Sequence, residues 1–163
     1  MQEKLITLAE KTVKLLKQKG VTLSSAESCT GGMFSELITA VSGASEVFEL
    51  GVVSYSSRIK NEILNVDKNT LDCLGAVSAE TAKQMAYNVR KLSSSDIAVS
   101  VTGVAGPSMS EGKEVGTVYI ALSTKNTLEA KLYTLKPLGR EYVRQMACKE
   151  LLNTVCNFLE TNL

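Results

Sequence analysis

Two hydrophobic periods alternate along this chain, and their order limits the folds open to it more than any other feature. "MQEKLITLAEKTVKLLKQKG" sets Leu5, Leu8, Ala9, Val13 and Leu16 on one helical side, with Leu15 at its edge and Gly20 placed to end the helix in the left-handed region. "VTLSSA" then reads as a strand, and "GMFSELITAVSG" returns to helical spacing through Met33, Leu37, Ile38 and Val41. "VFELGVVSYS" is rich in β-branched and aromatic residues and predicts the next strand. Ser56 or Ser57 can cap a helix through "RIKNEIL", and a short helical piece follows around "KNTLDCLG". Ser78 is placed to cap "SAETAKQMAYNVRKL", with Glu80 in its first turn.

The apolar run "DIAVSVTG" predicts a buried central strand that opens into the flexible loop "VAGPSMSEGKE". "VGTVYIALST" and "TLEAKLYTLK" form a predicted antiparallel hairpin around Lys125 and Asn126. A long amphipathic helix closes the chain, with Val143, Met146, Ala147, Leu151, Val155 and Phe158 facing inward. Helix and strand alternate until the hairpin interrupts them, which implies an α/β protein: a three-layer α/β/α sandwich on a mixed, mostly parallel sheet. At 163 residues the whole of 1–163 is expected to be one domain.

Composition narrows the function. A formal charge of +1, three Phe and no Trp supply neither a basic field nor stacking platforms, so no nucleic-acid partner is expected. No run reaches membrane-spanning length and the first helix lacks the uninterrupted apolar core of a signal peptide, so a cytoplasmic protein without a membrane partner is expected. Cys29, Cys73, Cys148 and Cys156 show no CxxC spacing. The absence of histidine removes Ser-His and Cys-His catalysis and leaves no zinc set to complete. A base working near neutral pH must then be a carboxylate, a lysine, a tyrosine or an amino terminus.

In sheets of this kind ligands gather beyond the carboxyl ends of the strands, and three polar loops sit there: "AESCTGG", "SYSSRIK" and "TGVAGP". Ser28 precedes a helix, where it is either a simple cap or a nucleophile. Gly31 and Gly32, with Thr30, could bring backbone N–H groups close to a phosphate or an oxyanion, although a flexible turn would also use glycine. Cys29 competes with Ser28 for the nucleophile's role, its alternative being a small apolar filler. Lys60 falls in the first turn of its predicted helix, where the macrodipole opposes a cation. Burial there would favour the neutral amine, which can take a serine proton; the alternative is a solvated surface lysine. Arg140 and Arg144 lie four apart and could clamp a carboxylate or phosphate, or pair with Glu141 or Glu36. Tyr55 and, in the third loop, Thr102, Gly103, Ala105 and Gly106 complete the candidate substrate contacts. "TGVAGP" lacks the Gly-Lys-Ser/Thr ending of a Walker loop, which argues against nucleoside-triphosphate hydrolysis.

Six segments, "AESCTGG", "GVVSYSSRIK", "GAVSAETA", "AVSVTGVAGP", "VGTVYIAL" and "GREYVRQMA", stand in the order and spacing of one family. In them the chain resembles the CinA carboxyl-terminal domain family, the nicotinamide-mononucleotide amidohydrolases. The resemblance implies hydrolysis of the carboxamide of nicotinamide mononucleotide to nicotinic acid mononucleotide and ammonia. It implies Ser28 as nucleophile and Lys60 as base, with no metal or cofactor, and a homo-oligomer. Amides around Thr30 to Gly32 would face the oxyanion, and Arg140 or Arg144 with the "TGVAGP" backbone would hold the phosphate. Many relatives carry a larger amino-terminal domain; this chain, without it, resembles the stand-alone deamidases. It departs from them at "SMSEGKEVG", where many have more glycine and a proline. A non-catalytic nucleotide-binding module, or an amidohydrolase for another amide, is the competing expectation.

Overall fold

Strand β1 (Leu23–Glu27) lies inside a five-stranded sheet in a computed structural model of the chain, which describes residues 2–162. The strand order is β2-β1-β3-β4-β5, with β2 at Phe48–Val53, β3 at Ile97–Gly103, β4 at Thr117–Ser123 and β5 at Leu128–Thr134. β1 pairs in parallel with both β2 and β3, and β4 runs antiparallel to β3 and to β5. Four of the five strands therefore point the same way, and the hairpin expected around Lys125 and Asn126 supplies the one antiparallel strand, β4, with β5 at the edge.

The chain leaves β1 toward one side for β2 and returns to the other side for β3. The carboxyl ends of three adjacent parallel strands thus flank the point where the winding direction reverses, the place where such sheets leave a crevice. Glu27, Val53 and Gly103 end these strands, so the three polar loops emerge side by side.

Period two sorts the sheet's side chains between two helical layers. Ile97, Val99 and Val101 of β3 and Val118, Ile120 and Leu122 of β4 join a large core with α1 (Gln2–Lys19), α2 (Met33–Thr39) and α6 (Arg140–Asn162). Ala98 packs on the opposite face with Leu64, Met85 and Val89, and Ala121 meets Ala82 and Ala86. That second layer comprises α3 (Ser57–Leu64), α4 (Lys68–Leu74) and α5 (Ala79–Ser93). Small residues on this face let α5 lie close to the sheet, and the Ser100 hydroxyl spends its donor on the Ala82 carbonyl at 2.6 Å.

Strand β1 is buried throughout although it reads Leu-Ser-Ser-Ala-Glu. Its hydroxyls are matched rather than bare: Ser24 meets the Ser95 hydroxyl at 2.8 Å and Ser25 meets that of Ser35 at 3.0 Å. Burying a hydroxyl is tolerable only with such a partner.

Two helices differ from expectation. α2 stops at Thr39, before Val41, and it buries Phe34 together with the expected Leu37 and Ile38 while Met33 is only partly buried. α6 buries Cys148, Leu152, Cys156 and Leu159 beside four of the six residues expected, Val143, Ala147, Leu151 and Val155, while Met146 and Phe158 are only partly buried. This helix is gripped by the sheet on one side and by α1 and α2 on another, so its buried surface is wider than a single stripe. Among the described residues no helix is long and apolar enough to cross a membrane.

Candidate active site

The loop after β1 is organised by a buried carboxylate. Glu27 is fully inaccessible and accepts five hydrogen bonds: from the Thr30 and Ser35 hydroxyls at 2.7 and 2.6 Å, and from the Gly32, Phe34 and Ser35 amides at 3.1, 3.1 and 2.9 Å. These amides are those that the first turn of α2 cannot satisfy within the helix, and an anion there also opposes the helix dipole. Gly31 and Gly32 adopt φ of 60° and 94°, the left-handed turn that folds the chain back onto Glu27.

The expectation that Gly31 and Gly32 would offer their amides to a ligand therefore needs correcting. The Gly31 amide donates to the Ser28 carbonyl at 3.0 Å and the Gly32 amide to Glu27. Thr30 is buried, its hydroxyl committed to Glu27. None of the three lines the cleft beside this loop.

Ser28, in contrast, opens on that cleft, a cavity of about 370 Å³ that is also walled by Lys60, Thr102, Gly103 and Arg140. Ser56 caps α3 by accepting the Ile59 amide at 3.2 Å, and this fixes the helix so that its fourth residue, Lys60, points inward. The lysine is only 1% exposed. Its Nζ lies 2.9 Å from the Ser28 Oγ and 2.6 Å from the Ser54 carbonyl oxygen, which follows β2. Burial lowers its pKa from 10.5 to about 8, with the negative charge of Glu111 opposing part of that fall. An amine in this setting donates one hydrogen to the carbonyl and can turn its lone pair toward the serine hydroxyl.

Cys29 borders the cleft but belongs to the main core. Its thiol is 6% exposed, and burial pushes its pKa up to about 12, so it has little thiolate to offer. Among the described residues no carbonyl or carboxylate accepts from the Cys29 backbone amide, which directly follows Ser28. Thr102, buried at the end of β3, donates its hydroxyl to the Ala76 carbonyl at 2.7 Å and ties the loop before α5 to the sheet. Gly103, Ala105 and Gly106 continue the cleft wall. Among the described residues no three His, Cys, Asp or Glu side chains gather into a possible metal site.

The chain has counterparts among known proteins. The family model described as CinA C-terminal domain matches residues 5–159. The chain belongs to the CinA carboxyl-terminal domain family. A protein named competence-damage inducible protein in Caldanaerobacter subterraneus subsp. tengcongensis is 47% identical over 154 residues, covering 94% of this chain and 37% of that protein. The Bacillus subtilis protein of the same name is 52% identical over 144 residues, 88% of this chain and 34% of its own length. This CinA-family chain thus spans about a third of the curated relatives it matches. Among solved structures, the competence/damage inducible protein CihA from Agrobacterium tumefaciens superposes with a TM-score of 0.91 at 33% identity, over 96% of both chains. The competence damage-inducible protein A from Klebsiella pneumoniae gives 0.94 at 29% identity, over 98% of this chain and 99% of that one.

In this CinA-family chain the two arginines of α6 divide their work. Arg140 lines the cleft, donating to the Gly106 carbonyl at 2.7 Å and to the Tyr55 hydroxyl, so Tyr55 serves the site rather than the sheet. Arg144 turns away and donates to the Thr30 carbonyl through Nε at 3.2 Å and Nη2 at 2.8 Å, with Glu141 at 3.2 Å on its other side. It buttresses the Ser28 loop from behind and has no place in the cleft. Two residues that organise the site, Glu27 and Glu111, are not among those the sequence singles out. Glu27 could have been found from its place one residue before Ser28 and five before a Gly-started helix. Locally Glu111 has only an ion pair with Lys113 at 3.9 Å, and the amides that donate to it lie 34 and 35 residues away.

Proposed function

We propose that this chain is an amidohydrolase that converts nicotinamide mononucleotide to nicotinic acid mononucleotide and ammonia. The observation that carries the reading is the buried Lys60 amine 2.9 Å from the Ser28 hydroxyl, with a pKa lowered to about 8. The CinA family membership and the resemblance of the six motifs support the choice of substrate.

In this reading Ser28 Oγ attacks the carboxamide carbon while neutral Lys60 takes its proton. The resulting oxyanion faces the Cys29 amide, the N–H that directly follows the nucleophile, a position that oxyanion holes commonly use. The C–N bond then breaks as Lys60 returns the proton to the departing nitrogen, and ammonia leaves. Water, deprotonated by the same amine, hydrolyses the acyl ester and regenerates Ser28. Arg140, at the cleft mouth, supplies a guanidinium for the phosphate. No histidine is needed, because a lysine with its pKa lowered to about 8 supplies a neutral amine with the basicity this step requires.

Ammonia release from nicotinamide mononucleotide tests the assignment. Ser28→Ala and Lys60→Ala should each lose a factor on the order of 10⁴ to 10⁶ in kcat, and Cys29→Ala should retain turnover. Activity that survives in Ser28→Ala and vanishes in Cys29→Ala would overturn the nucleophile. Tight nucleotide binding without ammonia, measured by calorimetry, would make the chain a binding module, and turnover confined to other amides in a panel would replace the substrate.

A further inference from the structure

The loop between β3 and β4, residues 104–116, carries a small turn of its own. Ser110 and Lys113 exchange both backbone hydrogen bonds, at 3.2 and 2.9 Å, with Glu111 and Gly112 between them at φ of 52° and 69°. A pair of left-handed residues makes a tight two-residue hairpin turn, and glutamate is an unusual first member. Something must favour a side chain at that tip.

The Glu111 carboxylate reaches across to the segment before α5. Oε1 accepts the Ala76 amide and Oε2 the Val77 amide, each at 3.0 Å. Gly75 leaves the space that the carboxylate fills, since a Cβ there would stand 2.4 Å from Oε2. The seat is held from beneath: the Thr81 and Ser78 hydroxyls donate to the Gly75 carbonyl at 2.7 and 3.2 Å, and Thr102 holds the Ala76 carbonyl. Both halves of the contact border the cleft that contains Ser28 and Lys60, with Ser108 and Ser110 carried on the loop side.

We propose that Glu111 is a positioning residue, a clamp that docks the β3–β4 loop on the Gly75–Val77 seat and so builds the wall against which substrate binds. A loop of this composition has few apolar anchors, and two hydrogen bonds to a charged acceptor are the contacts that hold its tip. The clamp acts on affinity through Ser108 and Ser110; its charge also holds the Lys60 pKa up, so the pH profile of the Glu111 variants should shift to lower pH. Its kinetic consequence rests on the amidohydrolase reading above; its structural consequence does not.

Four variants test it: Glu111→Ala, Glu111→Gln, Gly75→Ala and the double variant Gly75→Ala/Glu111→Ala. The amide of Glu111→Gln turns a donor toward a peptide N–H, and Gly75→Ala fills the seat from the other side. Native-state trypsin cleavage after Lys113 should be slow in the wild type and faster in each variant, with the thermal midpoint little changed in Glu111→Ala and Glu111→Gln and lowered in the two variants that carry Gly75→Ala, because Gly75 has a φ of 85°. With nicotinamide mononucleotide, KM should rise on the order of tenfold while kcat falls far less. The double variant should be no worse than the poorer single one, because both remove the same contact. Unchanged cleavage at Lys113 in Glu111→Ala and Glu111→Gln would overturn the clamp, as would losses in the double variant that simply add. A wild type that releases no ammonia would sink the substrate assignment and leave the cleavage result to decide the clamp alone.

Discussion

Glu27 and Ser28 are consecutive in the chain, yet the carboxylate of the first is sealed beneath the loop on five hydrogen bonds while the hydroxyl of the second opens on the cleft beside Lys60. The end of a strand allows this, because successive side chains leave it in opposite directions. One residue builds the loop and its neighbour uses it.

Glu27→Gln keeps the volume and puts an NH₂ group against donors that need an acceptor. Whichever way the amide turns, at least the Ser35 amide or those of Gly32 and Phe34 lose their partner. Urea unfolding should show a loss on the order of 2–3 kcal/mol, and kcat should fall as the loop loosens. A variant as stable as the wild type would mean that the helix end can find water instead.

The Lys60 pKa, lowered to about 8 by burial, fixes both an activity profile and a stability profile. With deprotonated lysine as the proposed base, kcat/KM should rise with pH through about 8 and level off above it. For stability the folded state resists the charged form, so a penalty is fully present below about 8. It is relieved as pH rises from about 8 toward the ordinary value of 10.5, where the unfolded chain also loses its proton. The gap of about 2.5 units corresponds to about 3 kcal/mol. Lys60→Met should therefore be inactive yet more stable near pH 7 by up to that amount, less the cost of a bare Ser54 carbonyl, as chemical denaturation at several pH values would show.

Thiol chemistry separates Cys29 from the mechanism. Cys29, Cys148 and Cys156 are buried and Cys73 is exposed. Brief treatment of the native protein with iodoacetamide at pH 7.5, roughly one unit below an ordinary thiol pKa, should alkylate Cys73 alone, as mass spectrometry would read, and leave turnover intact. Rapid modification of Cys29 with loss of activity would reopen its candidacy as nucleophile.

The two arginines should fail differently. Arg140→Ala should raise KM for nicotinamide mononucleotide much more than for the corresponding nucleoside, which has no phosphate to lose. Arg144→Ala removes the support of the Thr30 carbonyl and should lower kcat for both substrates alike. Equal effects of Arg140→Ala on the two would take the phosphate from this residue.

Much of this was legible in the sequence because it is local. The strands and helices announce themselves by period. Ser56 and Ser78 mark helix starts, and both accept the amides expected of a cap. Lys60 stood out because a lysine early in a helix works against the dipole, which makes burial with a partner the informative alternative. What stayed hidden depends on distant segments. Gly31 and Gly32 look like ligand-facing amides until Glu27 is seen to have taken that helix end. Arg144 looks like a twin of Arg140 until the turn of α6 aims it at Thr30. α6 buries more than one stripe because it has neighbours on two sides, and such a helix has no clear face to read. Glu111 docks on a segment that only the folded sheet brings near.

The antiparallel pairing of β3 with β4 has one more effect. The loop between them leaves and re-enters the sheet at a single closed gate, where the Val104 amide meets the Thr117 carbonyl at 2.9 Å and the Gly116 amide meets the Val104 carbonyl at 2.8 Å. Residues added, lost or exchanged beyond that gate need not disturb β1 or α3, which carry the serine and the lysine. On the proposed reading, the share of selectivity carried by this loop, though not that of Arg140 and Tyr55, can diverge without moving the serine or the lysine, and an engineer could graft new loops here to retarget the cleft.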